Sequence, residues 1–145
     1  MAVIRREIEI RRGLDETWNR VTDFERMPAW FYGIKSVTVL SQELGIGAER
    51  IVTFLTRQSF REKIVQWDRN SFFSYIVVNP PVFSKDWADS ISLRPASDSV
   101  ILNWEIRYTM RLGILGKMVD GLLLAPIVDK VLLFSLRKFK LVTET

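Results

Sequence analysis

The sequence predicts an α+β fold with the element order β-α-α-β6-α: a curved, antiparallel seven-stranded sheet wrapped around a long C-terminal helix. Three observations predict it. The chain opens with an alternating apolar and charged segment, the period of a half-buried strand. Six further β-rich segments follow at roughly 10-residue spacing with short turns between them, the mark of an antiparallel meander. The closing segment carries apolar residues at helical i, i+3, i+4 spacing. With 145 residues, residues 1–145 read as one domain by the usual prior of roughly 100–200 residues.

Each element has its own signal. Val3-Ile4 and Ile8-Glu9-Ile10 form the opening strand. Asp15 is positioned to cap a short helix that places Trp18 and Val21 on one face, with Leu14 as a hydrophobic staple. Asp23 offers a second cap, and Pro28 stops the short helix that follows. From Gly33 the pattern turns to strands: Ile34–Leu40, Glu49–Arg57, Phe60–Trp67, Phe72–Val78, Val82–Leu93 and Val100–Met110. Gly45-Ile46-Gly47, Gln58-Ser59, Asp68–Ser71, Asn79-Pro80-Pro81 and Pro95–Asp98 supply the turns. Leu115, Met118, Val119, Leu122, Leu123, Val131, Leu132, Phe134 and Phe139 mark the final helix. Pro126 lies inside it, so a kink or break is expected near Leu122. One helix closed under a curved sheet leaves space between the two.

Composition removes whole classes of chemistry. There is no cysteine and no histidine. That excludes disulfides, thiolate nucleophiles, His-based triads and Cys or His metal ligands. No carboxylate cluster has metal-ligand spacing and no phosphate loop is present, so neither a metal nor a cofactor is expected. The net charge is +4, from 21 Lys+Arg against 17 Asp+Glu. The basic clusters Arg5-Arg6, Arg11-Arg12 and Arg137-Lys138 are too short and scattered for a nucleic-acid footprint. The first residues lack an apolar signal core, and Asp129-Lys130 and Pro126 interrupt the most apolar stretch, so a cytoplasmic location is expected.

Five stretches, in order along nearly the whole chain, carry a resemblance. Leu14-Asp15-Glu16-Thr17-Trp18 is similar to the opening helix of the START-like, or SRPBCC, superfamily. Asp23–Trp30 is similar to its aspartate, proline and tryptophan segment, and Gly45–Arg50 to its glycine-rich turn ending in arginine. Arg61–Asp68 and Ser99–Trp104 resemble two of its strands. The superfamily includes polyketide cyclase-like and coenzyme Q-binding-like proteins. The resemblance implies the helix-grip fold and a deep, mostly apolar cavity between sheet and C-terminal helix that holds a lipid, quinone, polyketide or similar molecule. It implies fold more strongly than activity, because such a fold hosts carriers, enzymes and regulators alike.

Strand alternation names the residues that could line such a cavity. Leu102, Trp104, Ile106, Tyr108 and Met110 share the inward face of the last strand, as core or as cavity wall. Trp87 and Asp89 alternate with Ile91 and Leu93, which puts a carboxylate on an apolar face unless it sits hydrated or paired at a strand end. Glu62 shares a face with Phe60 and Ile64, and Tyr75 with Phe73 and Val77. A pairing that turns Arg61, Lys63, Val65 and Trp67 inward is the alternative for that strand. Arg57, beside Ile51, Thr53 and Leu55, is placed either to anchor a ligand carboxylate or to sit exposed at the strand end. Trp30-Phe31-Tyr32 reads as a gate or a membrane-touching rim, with core plugging as the plain alternative, and Met118 and Leu122 are expected to face the sheet. The leading expectation is therefore a carrier of a hydrophobic small molecule, with Trp30, Tyr32, Arg57, Tyr75, Trp87, Trp104, Tyr108, Met118 and Leu122 as candidate ligand contacts. A cyclase or dehydratase using Glu62 and Asp89 as acid and base is the alternative. A module that meets a partner protein or membrane through its aromatic loops is a third, and pairing of two copies through a sheet edge is compatible with each.

Overall fold

A computed structural model describes residues 1–145. Strand β1 (Ala2–Ile10) leads to helix α1 (Leu14–Val21) and a 3-10 helix (Phe24–Ala29). Strands β2 (Ile34–Val39), β3 (Glu49–Phe54), β4 (Ser59–Asp68), β5 (Phe72–Val77), β6 (Ser84–Pro95) and β7 (Val100–Met110) follow. Helix α2 (Gly113–Val119), a π-helical turn (Asp120–Leu124) and helix α3 (Ala125–Glu144) complete the chain. All neighbours in the seven-stranded sheet are antiparallel, in the order β1-β7-β6-β5-β4-β3-β2. The meander from β2 to β7 is thus extended by β1, which returns along the free edge of β7. This is the predicted α+β, helix-grip arrangement.

Local chemistry shapes the helical parts. Gly13, not Asp15, takes the N-cap position of α1; the Thr17 hydroxyl bonds back to the Gly13 carbonyl, and Asp15 instead accepts from Asn70 Nδ2 at 2.6 Å. Pro28 has no N–H for an α-helical ladder, and the segment around it forms the tighter 3-10 turn. The predicted break in the last helix is the π-helical turn directly before Pro126. A proline ring clashes with the carbonyl four residues earlier, here that of Leu122, and the wider turn makes room for it.

The core lies between the concave sheet face and α3. Leu132, Ser135, Leu136, Phe139 and Thr143 form the buried stripe of α3. They meet Ile10, Leu102, Trp104 and other buried residues of the sheet. Trp30 closes one end of this contact, with its ring centroid 4.8 Å from Phe139 and 6.0 Å from Trp104. A second aromatic group joins Trp18, Trp67 and Phe73 under α1.

Register irregularities in β2, β4 and β6 bend the sheet. The one in β4 resolves the two pairings open for that strand. Ile64 faces Tyr75 and Gln66 faces Ser74, so Val65 is the extra residue. Glu62 and Ile64 point inward before the bulge, and Trp67 points inward after it.

Polar contacts hold α3 to β1. Arg6 makes two parallel bonds to Asp129, at 2.8 and 2.7 Å, and Lys140 donates to the Glu9 carbonyl at 2.6 Å. Glu144 accepts from the Arg11 backbone N–H at 2.8 Å. No helix is long and apolar enough to cross a membrane.

Candidate functional site

A cavity of about 530 Å3 lies between β3–β7 and the first turns of α3. Seventeen of its 24 lining residues are hydrophobic, which sets its general character. Leu124, Ile127, Val128 and Val131 form the helix wall, and Val52, Phe54, Phe60, Val77 and Ile106 the sheet wall. Tyr32, Leu55, Phe83 and Ile127 are exposed and frame the mouth, whereas Met27, Arg50, Glu62, Tyr75 and Asp89 are buried and form the inner end.

Four polar groups converge at that inner end. Arg50, on β3, donates from Nε to Glu62 Oε1 on β4 at 2.8 Å. Antiparallel register places them opposite each other. The Arg50 guanidinium carbon lies 4.2 Å from the Phe24 ring centroid and 4.3 Å from that of Tyr75, so aromatic faces replace part of its lost hydration. Its Nη1 approaches Met27 Sδ at 3.4 Å. Its Nη2 lies 2.8 Å from Glu62 Oε1 but makes no hydrogen bond.

Asp89 is the acceptor hub of the second half. Tyr75 Oη donates to Oδ2 at 2.7 Å, Trp104 Nε1 to Oδ2 at 2.9 Å and Trp87 Nε1 to Oδ1 at 3.1 Å. Burial works against the Asp89 anion and raises its pKa, while these three donors and the field of Arg50 oppose the rise. Burial also pushes the Glu62 carboxyl up to about 7, against the pull of Arg50 and with the help of the nearby Asp89 charge. The Tyr75 hydroxyl is raised well above its ordinary range by burial and by the two carboxylates, so it keeps its proton and donates.

The family model described as polyketide cyclase / dehydrase and lipid transport matches residues 1–144. The chain belongs to this family. Solved structures agree on the fold. The crystal structure of TTHA0849 from Thermus thermophilus superposes with a TM-score of 0.78 at 14% identity, covering 98% of this chain and 97% of that one. Ara h 8.0201 gives 0.75 at 11%, with 98% and 97% covered. A START superfamily protein from Mycobacterium smegmatis gives 0.72 at 19%, with 92% and 93% covered. No curated protein matches the sequence.

Within this member of the polyketide cyclase and lipid transport family, the sequence-predicted residues divide. Glu62, Tyr75, Trp87, Asp89 and Tyr32 line the cavity. Trp30 does not: it is buried in the core beside Phe139, because it closes the 3-10 helix instead of standing in an open loop. Its neighbours Phe31 and Tyr32 reach the cavity. Trp104 is core, with its indole N–H on Asp89, so it positions the site from behind. Tyr108 stacks on Trp87 and its hydroxyl donates to Asp120, outside the cavity.

Met118 and Leu122 are exposed and do not line the cavity, because α2 buries only Gly116 and the π-helical turn buries no residue, so the inward stripe that their spacing predicts is not formed. Arg57 is exposed in the β3–β4 turn with φ of 71°, since β3 ends at Phe54 and not at Arg57. The inward face of β3 is therefore Arg50, Val52 and Phe54, the opposite of the alternation read from Arg57.

Arg50 is the residue that the sequence reading missed. The turn after Phe54 pairs Val52 with Phe60, and the same register carries Arg50 to the inward Glu62, a relation that exists only once β3 and β4 are paired.

Proposed function

We propose that this protein binds and carries an apolar small molecule in the cavity between its sheet and α3, with a polar head at the inner end. The observation that carries this reading is the cavity itself: apolar walls, an exposed mouth and a single cluster of polar groups where the walls close. Its volume falls within the roughly 300–1,000 Å3 typical of small-molecule sites. At roughly 30 Å3 per heavy atom it accommodates about 15–20 of them. Each 100 Å2 of ligand surface taken out of water contributes roughly 2.5 kcal/mol. The family's description, which joins polyketide chemistry to lipid transport, supports a ligand of this kind. Native mass spectrometry of the purified protein, followed by solvent extraction, tests it. A co-purified apolar molecule at near-stoichiometric amount is expected. A clean apo mass with no uptake of the neutral dye Nile red would rule the carrier out.

The surface beside the mouth supports loading from an anionic membrane. Ile114, Leu115, Met118, Val119, Leu122 and Leu123 on α2 and the π-helical turn are all exposed, as are Val82 and Phe83 on the neighbouring loop. Lys85, Arg111, Lys117 and Lys130 stand exposed around them, whereas the carboxylates Asp120 and Asp129 are occupied by Tyr108 and Arg6. Apolar side chains ringed by unpaired cations suit an anionic bilayer surface. Co-sedimentation with phosphatidylserine vesicles, weakened by salt and by Leu122→Glu, is the expected result; equal binding by the variant and the parent would reject it.

One observation favours a second reading, proton transfer to a bound polyketide-like chain. The Glu62 carboxyl, pushed to about 7 by burial, suits a general acid or base near neutral pH. Turnover that follows its titration and disappears in Glu62→Gln is what this reading requires.

A further inference from the structure

We infer that the inner end of the cavity is built for an uncharged hydroxyl or carbonyl head and discriminates against a carboxylate. This deepens the carrier reading and rests on it. Among the residues lining the cavity, Arg50 is the one cation, and it faces two carboxylates, Glu62 and Asp89. Asp89 already receives three donors, from Tyr75, Trp87 and Trp104, and so is held as the anion that balances Arg50. Glu62 is then the group whose charge varies. The helix wall adds nothing to this balance, because Leu124, Ile127, Val128 and Val131 carry no charge.

One hydrogen-bonding position remains open at this end. Arg50 Nη2 is fully buried against Glu62 Oε1, 2.8 Å away, and is not reached from the cavity. The bond between Arg50 and Glu62 uses Oε1, leaving Oε2 without a donor. A hydroxyl answers it by donating to ionised Oε2. A carbonyl oxygen answers it when Glu62 carries its proton, accepting from the carboxyl O–H. A carboxylate has no proton to donate to ionised Oε2, and it brings a third negative charge to one cation in a mostly apolar cavity. Like charges at such range oppose binding strongly. The carboxylate enters without that opposition only when Glu62 takes up a proton, and proton uptake becomes tenfold less favourable with each pH step above the Glu62 pKa.

The test is displacement of Nile red from the full-length protein by three ten-carbon ligands, 1-decanol, 2-decanone and decanoate, at about pH 6 and about pH 8.5. At the higher pH, decanol and decanone are expected to bind at least about tenfold tighter than decanoate, and the gap narrows at the lower pH. Glu62→Gln removes one negative charge and leaves Asp89 to balance Arg50, so decanoate binding at the higher pH rises toward that of decanol. Decanoate binding to the parent protein as tightly as decanol at about pH 8.5 would overturn the inference and leave the carrier reading standing. A pH-independent gap in the parent, or an unchanged gap in the variant, would overturn it as well. The parent's pH series decides even if the variant does not fold. Failure of Nile red and all three ligands to bind would remove the carrier reading, and this inference with it.

Discussion

Glu62 sits where two demands on one side chain conflict: it neutralises a buried arginine, yet burial disfavours its own charge. Its folded pKa of about 7 lies above the ordinary value of 4.5. Between those values the folded state holds a proton that the unfolded state has released, so this group makes stability fall as pH rises through the window, by roughly 3 kcal/mol in all. Asp89, also raised, acts in the same sense from its own ordinary value of 3.8 upward. Glu49, Glu105, Asp129 and Glu144 are lowered, chiefly by bonds from Arg61, Arg5, Arg6 and the Arg11 backbone N–H. Their contribution is present above the ordinary carboxylate range and is lost below it, outside the Glu62 window. Urea unfolding at pH steps from about 4.5 to 8 is expected to show the fall, and Glu62→Gln to flatten it; identical slopes in the two proteins would contradict the assignment. Arg57 makes the opposite point. It is exposed and left-handed, a conformation that only glycine adopts without strain. Arg57→Gly is expected to stabilise by up to about 1 kcal/mol and to leave ligand uptake unchanged. The inward positions of Tyr75, Glu62 and Asp89 were legible because strand alternation is local. Arg50 was not, because a buried arginine is legible only once its carboxylate and ring partners on other strands are in place.

Helix α2 rests on the end of β7 through Gly116, where an added Cβ would come within 2.0 Å of the Arg111 carbonyl oxygen and 3.0 Å of Met110 Cβ. The backbone must move to admit it. Gly116→Ala is therefore expected to displace α2 and speed amide exchange across residues 113–124, while exchange in the later turns of α3 stays slow; unchanged exchange would show that the contact is not limiting. At this scale most strands were legible to within one or two residues, since period-two patterns and turn residues mark their ends; β3 was the exception, ending at Phe54 and not at Arg57. The division of the last helix was legible only as an expected break near Leu122. Its consequence, the exposure of Met118 and Leu122, depends on where the segment before α3 lies relative to the sheet, which local spacing does not encode. The β4 bulge was equally hidden: it exists only relative to β5.

Over the whole molecule, α3 is tied to the sheet at both ends of its length by Arg6–Asp129, Lys140 and Glu144, whereas the segment before it is bounded by exposed apolar residues. Ligand binding should raise the unfolding temperature with ligand concentration, because only the folded state possesses the cavity. Thermal scans with added 1-decanol check this, and an unchanged transition at saturating ligand would speak against a folded-state site. The architecture was legible from element order and from the family resemblance together. The chemistry at the inner end was not, because it depends on side chains from β3, β4, β5 and β6 meeting at one point.

Val65 carries a consequence for chain length. Val65 and Gln66 together span a single position against Ser74, so removing Val65 preserves both the order of the ladder and the inward aim of Ile64 and Trp67. What such a deletion takes away is the local coiling that a bulge imposes on its strand. One residue, inserted or lost there, can therefore resize the interior without rewriting any wall residue, making capacity a matter of length polymorphism in a strand as much as of side-chain replacement.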